Sequence, residues 1–306
     1  MEDHRAKVIK GGSKTAGAPL SAYIGRVIKA DLAPPSVFPL PFFQSAVFLH
    51  NTSPMPANRE IYHFDDFTLE GYGELLGMAL GVNDFVDYPN AKDFDRFVIW
   101  RHDVDMSPAA AVETALIENS LGIRAHYFFL PHSEFYNLLE RENLERVRRI
   151  GDLGHSVQLH FDSGYYGVDS EERLERCLRL EADFLNEVLG VCIGAFSFHN
   201  PSAFDLGCGA EHYAGLVNTY SEFFKREVAY CSDSNGYWRH RRLRELLGPG
   251  APPRLQVLTH PEWWQPEVMS PRQRVNRAID LRAEATRRYY DQLLKDHGRK
   301  NIDWED

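Results

Sequence analysis

The sequence predicts an α/β protein in which helices cover a parallel sheet. Strand-like and helix-like segments alternate from about residue 66 to a long C-terminal helix, which is the pattern of parallel sheets with helical crossovers. Six short apolar segments have the length of buried strands, and polar residues follow where these strands end. Six such strands form either an open doubly wound sheet or a β/α barrel. In a barrel their carboxyl ends meet on the face that carries active sites.

The first elements of this alternation have clear boundaries. Thr68 is a candidate N-cap for a helix that ends near Gly81. The segment "RFVIWRHDVD" has the composition of a buried strand. Ser107 then caps the next helix, Pro108 occupies its first turn, and Gly122 ends it.

The remaining chain repeats the pattern. We expect strands in "IRAHYFFL", "HSVQLHFD", "IGAFSFHN", "EVAYCSDS" and "LQVLTH", and helices in "SEFYNLLERENLERVRRIGDLG" and "SEERLERCLRLEADFLNEVLG". The second helix is amphipathic, with one apolar face; its members are Leu174, Cys177, Leu178, Leu185 and Val188. Ser270 caps the final helix and Pro271 follows it.

Residues 1–56 are predicted to form an N-terminal extension ahead of a barrel domain at 57–306. The extension is rich in Gly, Pro and Ala and shows weak periodicity, so we expect it to be flexible at first and then docked. A lid over the barrel and a dimer contact are both open as its role.

Composition narrows the class of protein. The chain has 306 residues, 43% of them hydrophobic, and a net charge of −10. Such a surface repels phosphate backbones and anionic membranes, so we expect neither nucleic-acid nor membrane binding as a main role. No apolar run reaches the length of a membrane span and no secretory signal is visible, which favours a soluble, cytoplasmic protein. Four cysteines without CxxC spacing favour reduced thiols.

The motif "HDVD" carries the first functional signal. Asp103 and Asp105 are two residues apart, so on a strand both side chains face the same way. Two carboxylates this close repel each other unless a cation lies between them. One could bind a metal while the other acts as a base on a metal-bound water. An isolated acidic pair is more often a helix cap.

Histidines follow other strands at the same edge. His160 ends one strand and shares its parity with Asp162, while His155 faces the opposite side and suits a structural role. His199 ends the next strand, and His260 ends the last one. Each alone is a weak signal, but an acidic pair and three histidines at the ends of four strands favour a metal hydrolase.

Aromatic and polar residues flank these positions. Asp233 ends a strand, Asn200 follows His199, and Trp238, Trp263 and Trp264 lie in the loops. Tryptophans at the mouth of a polar site suit sugar rings, though packing explains them equally well. No GxGxxG or GxxxxGK motif is present, so no nucleotide cofactor is expected.

The ordered motifs resemble the polysaccharide deacetylase superfamily, in the branch that carries "HDVD". The resemblance runs from about Phe67 to the final helix and includes "LGIRAHYFF", "LGHSVQLHFD", "SFHNP", "SDSNGYW" and "HPEWW". It implies a distorted (β/α)7 barrel. It also implies a metal-dependent enzyme, usually with zinc, that removes acetyl groups from N-acetylated sugars; some relatives cleave other amide bonds.

The resemblance implies a role for single residues. Asp103 matches the catalytic base, Asp105 and His160 match metal ligands, and His260 matches the histidine that protonates the leaving amine. Asp233 falls in the motif that orients that histidine. Asn200, Trp238, Trp263 and Trp264 are the predicted substrate-binding residues.

Two positions depart from the family pattern. The position four residues after His160, usually a second metal histidine, is Gly164, and the usual arginine-proline motif reads "SFHNP". We therefore expect His199 to complete a set of Asp105, His160 and His199, with an open position for water as in a catalytic zinc site. Asp162 is the substitute if His199 lies too far away.

Other functions remain compatible with the sequence. A catalytically silent barrel could bind carbohydrate or a protein partner, and the missing histidine at Gly164 favours it. The retained pair Asp103 and His260 argues against it, because a binder needs neither base nor acid. An amidohydrolase for a non-sugar substrate and a non-hydrolytic barrel enzyme such as an isomerase are further alternatives.

Overall fold

The computed structural model describes residues 55–303, which form one compact unit that includes nine strands. The predicted extension at 1–56 lies outside the described residues, apart from its last two positions. The strands are β1 Asp84–Phe85, β2 Phe97–Val104, β3 His126–Phe129, β4 Ser156–Phe161, β5 Ala195–Phe198, β6 His212–Tyr213, β7 Leu216–Asn218, β8 Ala229–Ser232 and β9 Arg254–Thr259.

Helices separate most of these strands. They are α1 Met55–Ile61, α2 Leu69–Leu80, α3 Pro108–Ser120, α4 Arg141–Asp152, α5 Ser163–Tyr166, α6 Glu171–Leu189, α7 Ala203–Gly207, α8 Glu222–Glu227, α9 Leu243–Leu246 and α10 Pro271–Asp296. Short 3₁₀ turns cover Phe64–Asp66, Tyr88–Asp93, Ser234–Gly236 and Pro261–Trp263. The three predicted caps are confirmed, because Thr68, Ser107 and Ser270 each accept a backbone N–H of the following turn.

The sheet has the strand order β6-β7-β5-β4-β3-β2-β9-β8, with β1 beside β2. Every pair is parallel except β6 with β7. The first long strand, β2, therefore pairs with the last one, β9. The path is open, and its end strands are β6 and β8.

The sheet is curled. Arg101 on β2 donates from a terminal nitrogen to Oγ1 of Thr219, just after β7, at 3.1 Å. Three strands separate β2 from β7, so a flat sheet would place them about 19 Å apart. This contact requires strong curvature, which is consistent with a distorted barrel; the (β/α)7 count stays a prediction.

The two faces of β2 serve different cores. Val98, Trp100 and Val104 pack outward in the main core beneath the helices, while Phe97 and Ile99 pack in a second, inner cluster. The alternation follows from the strand period of two. The same parity carries three polar residues to the inner side, one after another toward the carboxyl end of the strand: Arg101, Asp103 and Asp105.

A buried polar network lies on the outer face. Glu118 of α3 accepts hydrogen bonds from the hydroxyls of Tyr72 and Tyr127, the latter at 2.6 Å, and Nε2 of His102 lies 2.6 Å away. Nδ1 of His102 lies 2.8 Å from Oγ1 of Thr259 on β9. Burial opposes ionisation of Glu118, but His102 and the hydroxyl of Tyr127 outweigh this effect and lower the pKa of Glu118. The network thus joins α2, α3, β2, β3 and β9.

The six predicted strands are confirmed, and the helix predicted from residue 133 is shorter than expected. It begins only at Arg141. Ser133 donates to the carbonyl of Asp105 at 2.7 Å, and Tyr136 donates to that of Val104 at 2.8 Å. These contacts hold residues 133–140 as a loop at the carboxyl end of β2, so tertiary bonds override the local helical pattern.

Two further predictions concern the chain as a whole. All four cysteines, Cys177, Cys192, Cys208 and Cys231, are free thiols, as expected. Among residues 55–303, no helix combines the length and the apolar character that a membrane crossing requires. The cytoplasmic location stays a prediction.

Candidate metal centre

Asp105, His160 and His199 come together at the carboxyl ends of β2, β4 and β5. Nε2 of His160 lies 3.2 Å from Oδ1 of Asp105 and 3.1 Å from Nδ1 of His199. The third side, from Nδ1 of His199 to Oδ1 of Asp105, measures 3.4 Å. The three side chains therefore form a nearly equilateral triangle of potential ligand atoms.

The triangle fits a small divalent cation. Ligand atoms about 2.0–2.1 Å from a tetrahedral metal are separated by about 3.4 Å. Oδ1 of Asp105 is buried and has no hydrogen-bond partner among the described residues. This oxygen is therefore free to bind a cation. Two imidazole nitrogens and one carboxylate oxygen are a donor set that zinc accepts.

The charges around the triangle keep the Asp105 carboxyl ionised. Burial raises the pKa of the Asp105 carboxyl, but close contacts with His160 and His199 outweigh it and hold the pKa well below its usual range. Asp105 also raises the pKa of His199 against the opposing effect of burial. The carboxylate is thus available in the ionised form that a metal ligand requires.

His260 and Asp233 form a pair beside the triangle. Nδ1 of His260 lies 2.6 Å from Oδ1 of Asp233, and the backbone N–H of His260 donates to both carboxylate oxygens at 3.1 Å. Nε2 of His260 faces Oδ2 of Asp105 at 3.8 Å. Burial lowers the pKa of His260, but Asp233 and Asp105 outweigh it and raise the pKa to about 10. The imidazolium form can donate a proton from Nε2.

Asp103 lies deeper than Asp105 and is only 2% exposed. Arg101, fully buried, donates from Nε to Oδ1 at 2.9 Å and from a terminal nitrogen to Oδ2 at 2.6 Å. Burial opposes ionisation of Asp103, yet the Arg101 charge lowers its pKa. Ser197 of β5 donates a third hydrogen bond, to Oδ1 at 3.2 Å. The carboxylate of Asp103 is therefore ionised and surrounded by donors.

Asp162, the alternative third ligand, is not part of the triangle. Its carboxylate caps α5 by accepting the backbone N–H of Tyr165 at 3.1 Å. A Cβ at Gly164 would lie only 3.1 Å from Oδ1 of Asp162. A larger residue at position 164 would therefore crowd the capping carboxylate, whereas glycine does not. The geometry favours His199 as the third ligand.

The predicted substrate-binding residues are in different environments. Asn200 places its side-chain amide 2.8 Å from Nε2 of His199, so it contacts a candidate ligand. Trp263 and Trp264 are 5% and 1% exposed and belong to the main core. A ring with almost no accessible surface offers no face to a sugar, so packing accounts for these two. Trp238 is partly buried and donates to Asp66 at 2.8 Å.

Two buried histidines outside the site have structural positions, as the sequence predicts for His155. His155 lies 3.0 Å from the carbonyl of Ala115 through Nε2, and its Nδ1 accepts the N–H of Ala125. His126 is 2% exposed and packs edge-on against Tyr88. Burial is the main cause that lowers the pKa of His126 to about 4.

Sequence reasoning missed two residues of the site. Ser197 lies beside His160 in the β4–β5 register, and its Oγ is 2.7 Å from Nδ1 of that histidine. Ser197 precedes His199 by two residues, so the strand period of two could have indicated that both side chains face the site. Glu262 follows His260 and is 1% exposed, and neither carboxylate oxygen has a hydrogen-bond partner among the described residues. Burial, and then the charge of Asp105, raise the pKa of Glu262 well above its usual value.

Comparisons with known proteins do not assign this chain to a family. No family model matches the sequence, and no curated protein matches it. Solved structures with a similar fold include a Xyl-CE4 domain of a multidomain xylanase from the hindgut metagenome of Trinervitermes trinervoides, which has 11% identity and a TM-score of 0.37. That match covers 69% of this chain and 95% of the domain.

Two further structures are similar at the same level. The chitin deacetylase of the fungus Colletotrichum lindemuthianum has 14% identity and a TM-score of 0.37, over 66% of this chain and 87% of that one. A family 4 acetyl xylan esterase from Clostridium thermocellum, in complex with a cobalt ion, has 13% identity and a TM-score of 0.35, over 66% of this chain and 92% of that one. At these scores the assignment of a function depends on the residues of this chain.

Proposed function

We propose that the chain is a metal-dependent hydrolase of the polysaccharide deacetylase superfamily that removes an acyl group, N-acetyl in the first instance, from a sugar or glycan precursor. One observation carries the proposal: the ligand triangle of Asp105, His160 and His199 lies beside the His260–Asp233 pair. A candidate cation site and a proton donor therefore share one strand edge.

The cation would be held by Asp105, His160 and His199, and zinc is the metal that we expect. When bound, it would polarise the acyl carbonyl and increase the acidity of a water molecule. Three protein ligands leave a position open for that chemistry. His160 lies in β4 and is buried, whereas His199 follows the neighbouring strand β5 and its side chain is 20% exposed.

His260 supplies the proton in this proposal. Asp233 accepts from Nδ1 and thereby orients the ring, so Nε2 is directed toward Asp105. A nitrogen leaving group needs a proton as the C–N bond breaks, and an imidazolium held by a carboxylate provides it. The same arrangement would serve an amide on a sugar and an amide on another substrate.

The base predicted from the sequence is Asp103. Arg101 keeps its carboxylate ionised, as a base requires, but its oxygens are also engaged by Arg101 and Ser197. The ion pair is buried, so a water molecule would have to displace an existing hydrogen bond to reach it. The base function of Asp103 is therefore a prediction that needs a test of its own.

Acetate release tests the proposed activity. The metal-free protein, and the protein reconstituted with one equivalent of zinc, would be incubated with N-acetylated amino-sugar oligomers and with O-acetylated xylan. We expect acetate from the amino-sugar oligomers with the zinc-loaded protein only. No acetate from any acylated substrate, in a preparation shown to hold zinc, would favour the silent barrel that binds carbohydrate or a protein partner.

A further inference from the structure

We propose that Asp103 is a positioning residue for His160, and that Arg101, Asp103 and Ser197 together hold the proton of His160 on Nδ1. The proposal rests on the ligand set of the proposed function. It assigns Asp103 a role other than the base and gives Ser197 a role that the sequence did not suggest.

The first argument is the side of the ring on which Asp103 lies. Oδ2 of Asp103 is 3.7 Å from Nδ1 of His160, whereas Oδ1 of Asp105 is 3.2 Å from Nε2. The two carboxylates of "HDVD" thus flank opposite nitrogens of one imidazole. Asp105 is on the side of the ligand triangle, and Asp103 is behind the ring.

The second argument is the direction of the hydrogen bonds. Arg101 can only donate, and the ionised Asp103 can only accept. Oδ1 of Asp103 lies 3.2 Å from Oγ of Ser197 and is an acceptor for its single hydroxyl proton. With the proton directed there, Oγ accepts at its 2.7 Å contact with Nδ1 of His160, so in this proposal the proton of the neutral ring lies on Nδ1.

The chain of bonds has a consequence for metal binding. With its proton on Nδ1, the neutral His160 presents the lone pair of Nε2 to the triangle, which is the form that a metal binds. Partners of this kind orient a ligating histidine and increase its basicity. All four side chains are at most 3% exposed, so water does not offer a competing partner.

The test combines a measurement on the metal-free protein with a binding measurement. Ser197→Ala interrupts the chain but leaves the Arg101–Asp103 pair intact, so we expect this variant to fold. In the metal-free Asp105→Ala protein, Oδ1 no longer competes for a proton on Nε2 of His160. Nitrogen NMR of this protein, at a pH where His160 is neutral, should show the Nδ1–H tautomer with Ser197 present and a mixture when Ser197→Ala is added. For Ser197→Ala alone, competition with a zinc chelator should give a dissociation constant increased about 10- to 100-fold.

Ser232→Ala is the matched control. Ser232 is a serine of β8 that is 3% exposed and bonds to Ser234, not to a histidine. It should leave the His160 tautomer and the zinc dissociation constant unchanged.

Asp103→Asn separates the two roles of that residue. If Asp103 positions His160, the Asp103→Asn variant should bind zinc more weakly. Its acetate release should recover fully or partly when zinc is saturating. Unchanged zinc affinity together with a turnover reduced by about 100-fold or more would identify Asp103 as the base and overturn the proposal. An unchanged tautomer and unchanged affinity in Ser197→Ala would overturn it as well. The tautomer is read without metal or substrate, so its outcome is independent of whether the wild type releases acetate.

Discussion

Nε2 of His160 and Nδ1 of His199 lie 3.1 Å apart, although 39 residues separate them in the chain. The first histidine is the penultimate residue of β4 and the second follows β5, which pairs with β4 in parallel. His160 is opposite Ser197 in the register, so His199 lies one inward-facing position further along. Adjacent parallel strands thus bring together the two histidines of the proposed ligand set.

Removal of any one ligand should abolish stoichiometric metal binding. We expect about one zinc per chain in the wild type and a large loss in Asp105→Ala, His160→Ala and His199→Ala, because two donors hold a divalent cation weakly. Elemental mass spectrometry after dialysis measures this.

Asp162→Ala is the control for the ligand set, since Asp162 caps α5 and is not part of the triangle. It should retain the metal. Retention in His199→Ala and loss in Asp162→Ala would exchange the two assignments.

Substitution of the proton donor should reduce turnover without loss of metal. His260→Asn removes the group that we propose to protonate the leaving nitrogen, and we expect kcat to fall by about 10²- to 10⁴-fold. Asp233→Asn should act in the same direction, because the ring loses the carboxylate 2.6 Å from Nδ1. Acetate release and zinc content would be measured on the same samples. A variant of His260 with wild-type turnover would exclude it as the donor.

The outer polar network should contribute strongly to stability. Glu118→Ala leaves His102, Tyr72 and Tyr127 buried without their shared acceptor, and the cost of such a loss is about 3–5 kcal/mol. Urea unfolding followed by circular dichroism gives the free energy of unfolding. Glu113→Ala, at an exposed position of the same helix, should change it by less than about 0.5 kcal/mol; equal effects of the two substitutions would contradict this account.

His126 should make the protein less stable in acid. Its pKa is about 4 in the folded state and 6.5 in the reference state, so between these values the unfolded chain binds the proton first. The stabilising effect is complete above pH 6.5 and is lost as the pH falls toward 4, by about 2–3 kcal/mol. Urea unfolding at about pH 7.5 and about pH 4.5 gives the free energy of unfolding at each pH. The difference between the two values should be smaller for His126→Gln than for the wild type. The exposed His240, replaced by Gln, should leave the wild-type difference unchanged.

Periodicity and capping residues are sufficient to predict much of the fold. The buried strand that carries "HDVD" and the caps Thr68, Ser107 and Ser270 are predictable because each depends on neighbouring residues. β7 was missed because three residues, Leu216–Asn218, have too few positions for an alternation to be visible. The loop at 133–140 depends on bonds to the end of β2, which no local pattern encodes.

The candidate site, like the fold, is only partly predictable from the sequence. Parity within a strand indicates that Asp103 and Asp105 share a face, and this is correct. Their separation by depth is not visible in the sequence, because it depends on Arg101 occupying both oxygens of Asp103 from the same strand. The burial of Trp263 and Trp264 is also invisible, since a tryptophan in a loop has the same signature whether it faces the solvent or the core.

The polar residues on the two faces of β2 also specify its alignment. A shift by one residue would move Arg101 and Asp103 from the inner face into the helix layer. The Asp103 carboxylate would then lie beside Glu118 and the Arg101 guanidinium among apolar side chains, which is far more unfavourable than the mismatch of two aliphatic residues. The polar residues on the inner face of β2 and those on its outer face therefore both disfavour a register shift of one residue. This sequence can consequently tolerate an almost uniformly buried strand, in which hydrophobic alternation alone would not distinguish one face from the other.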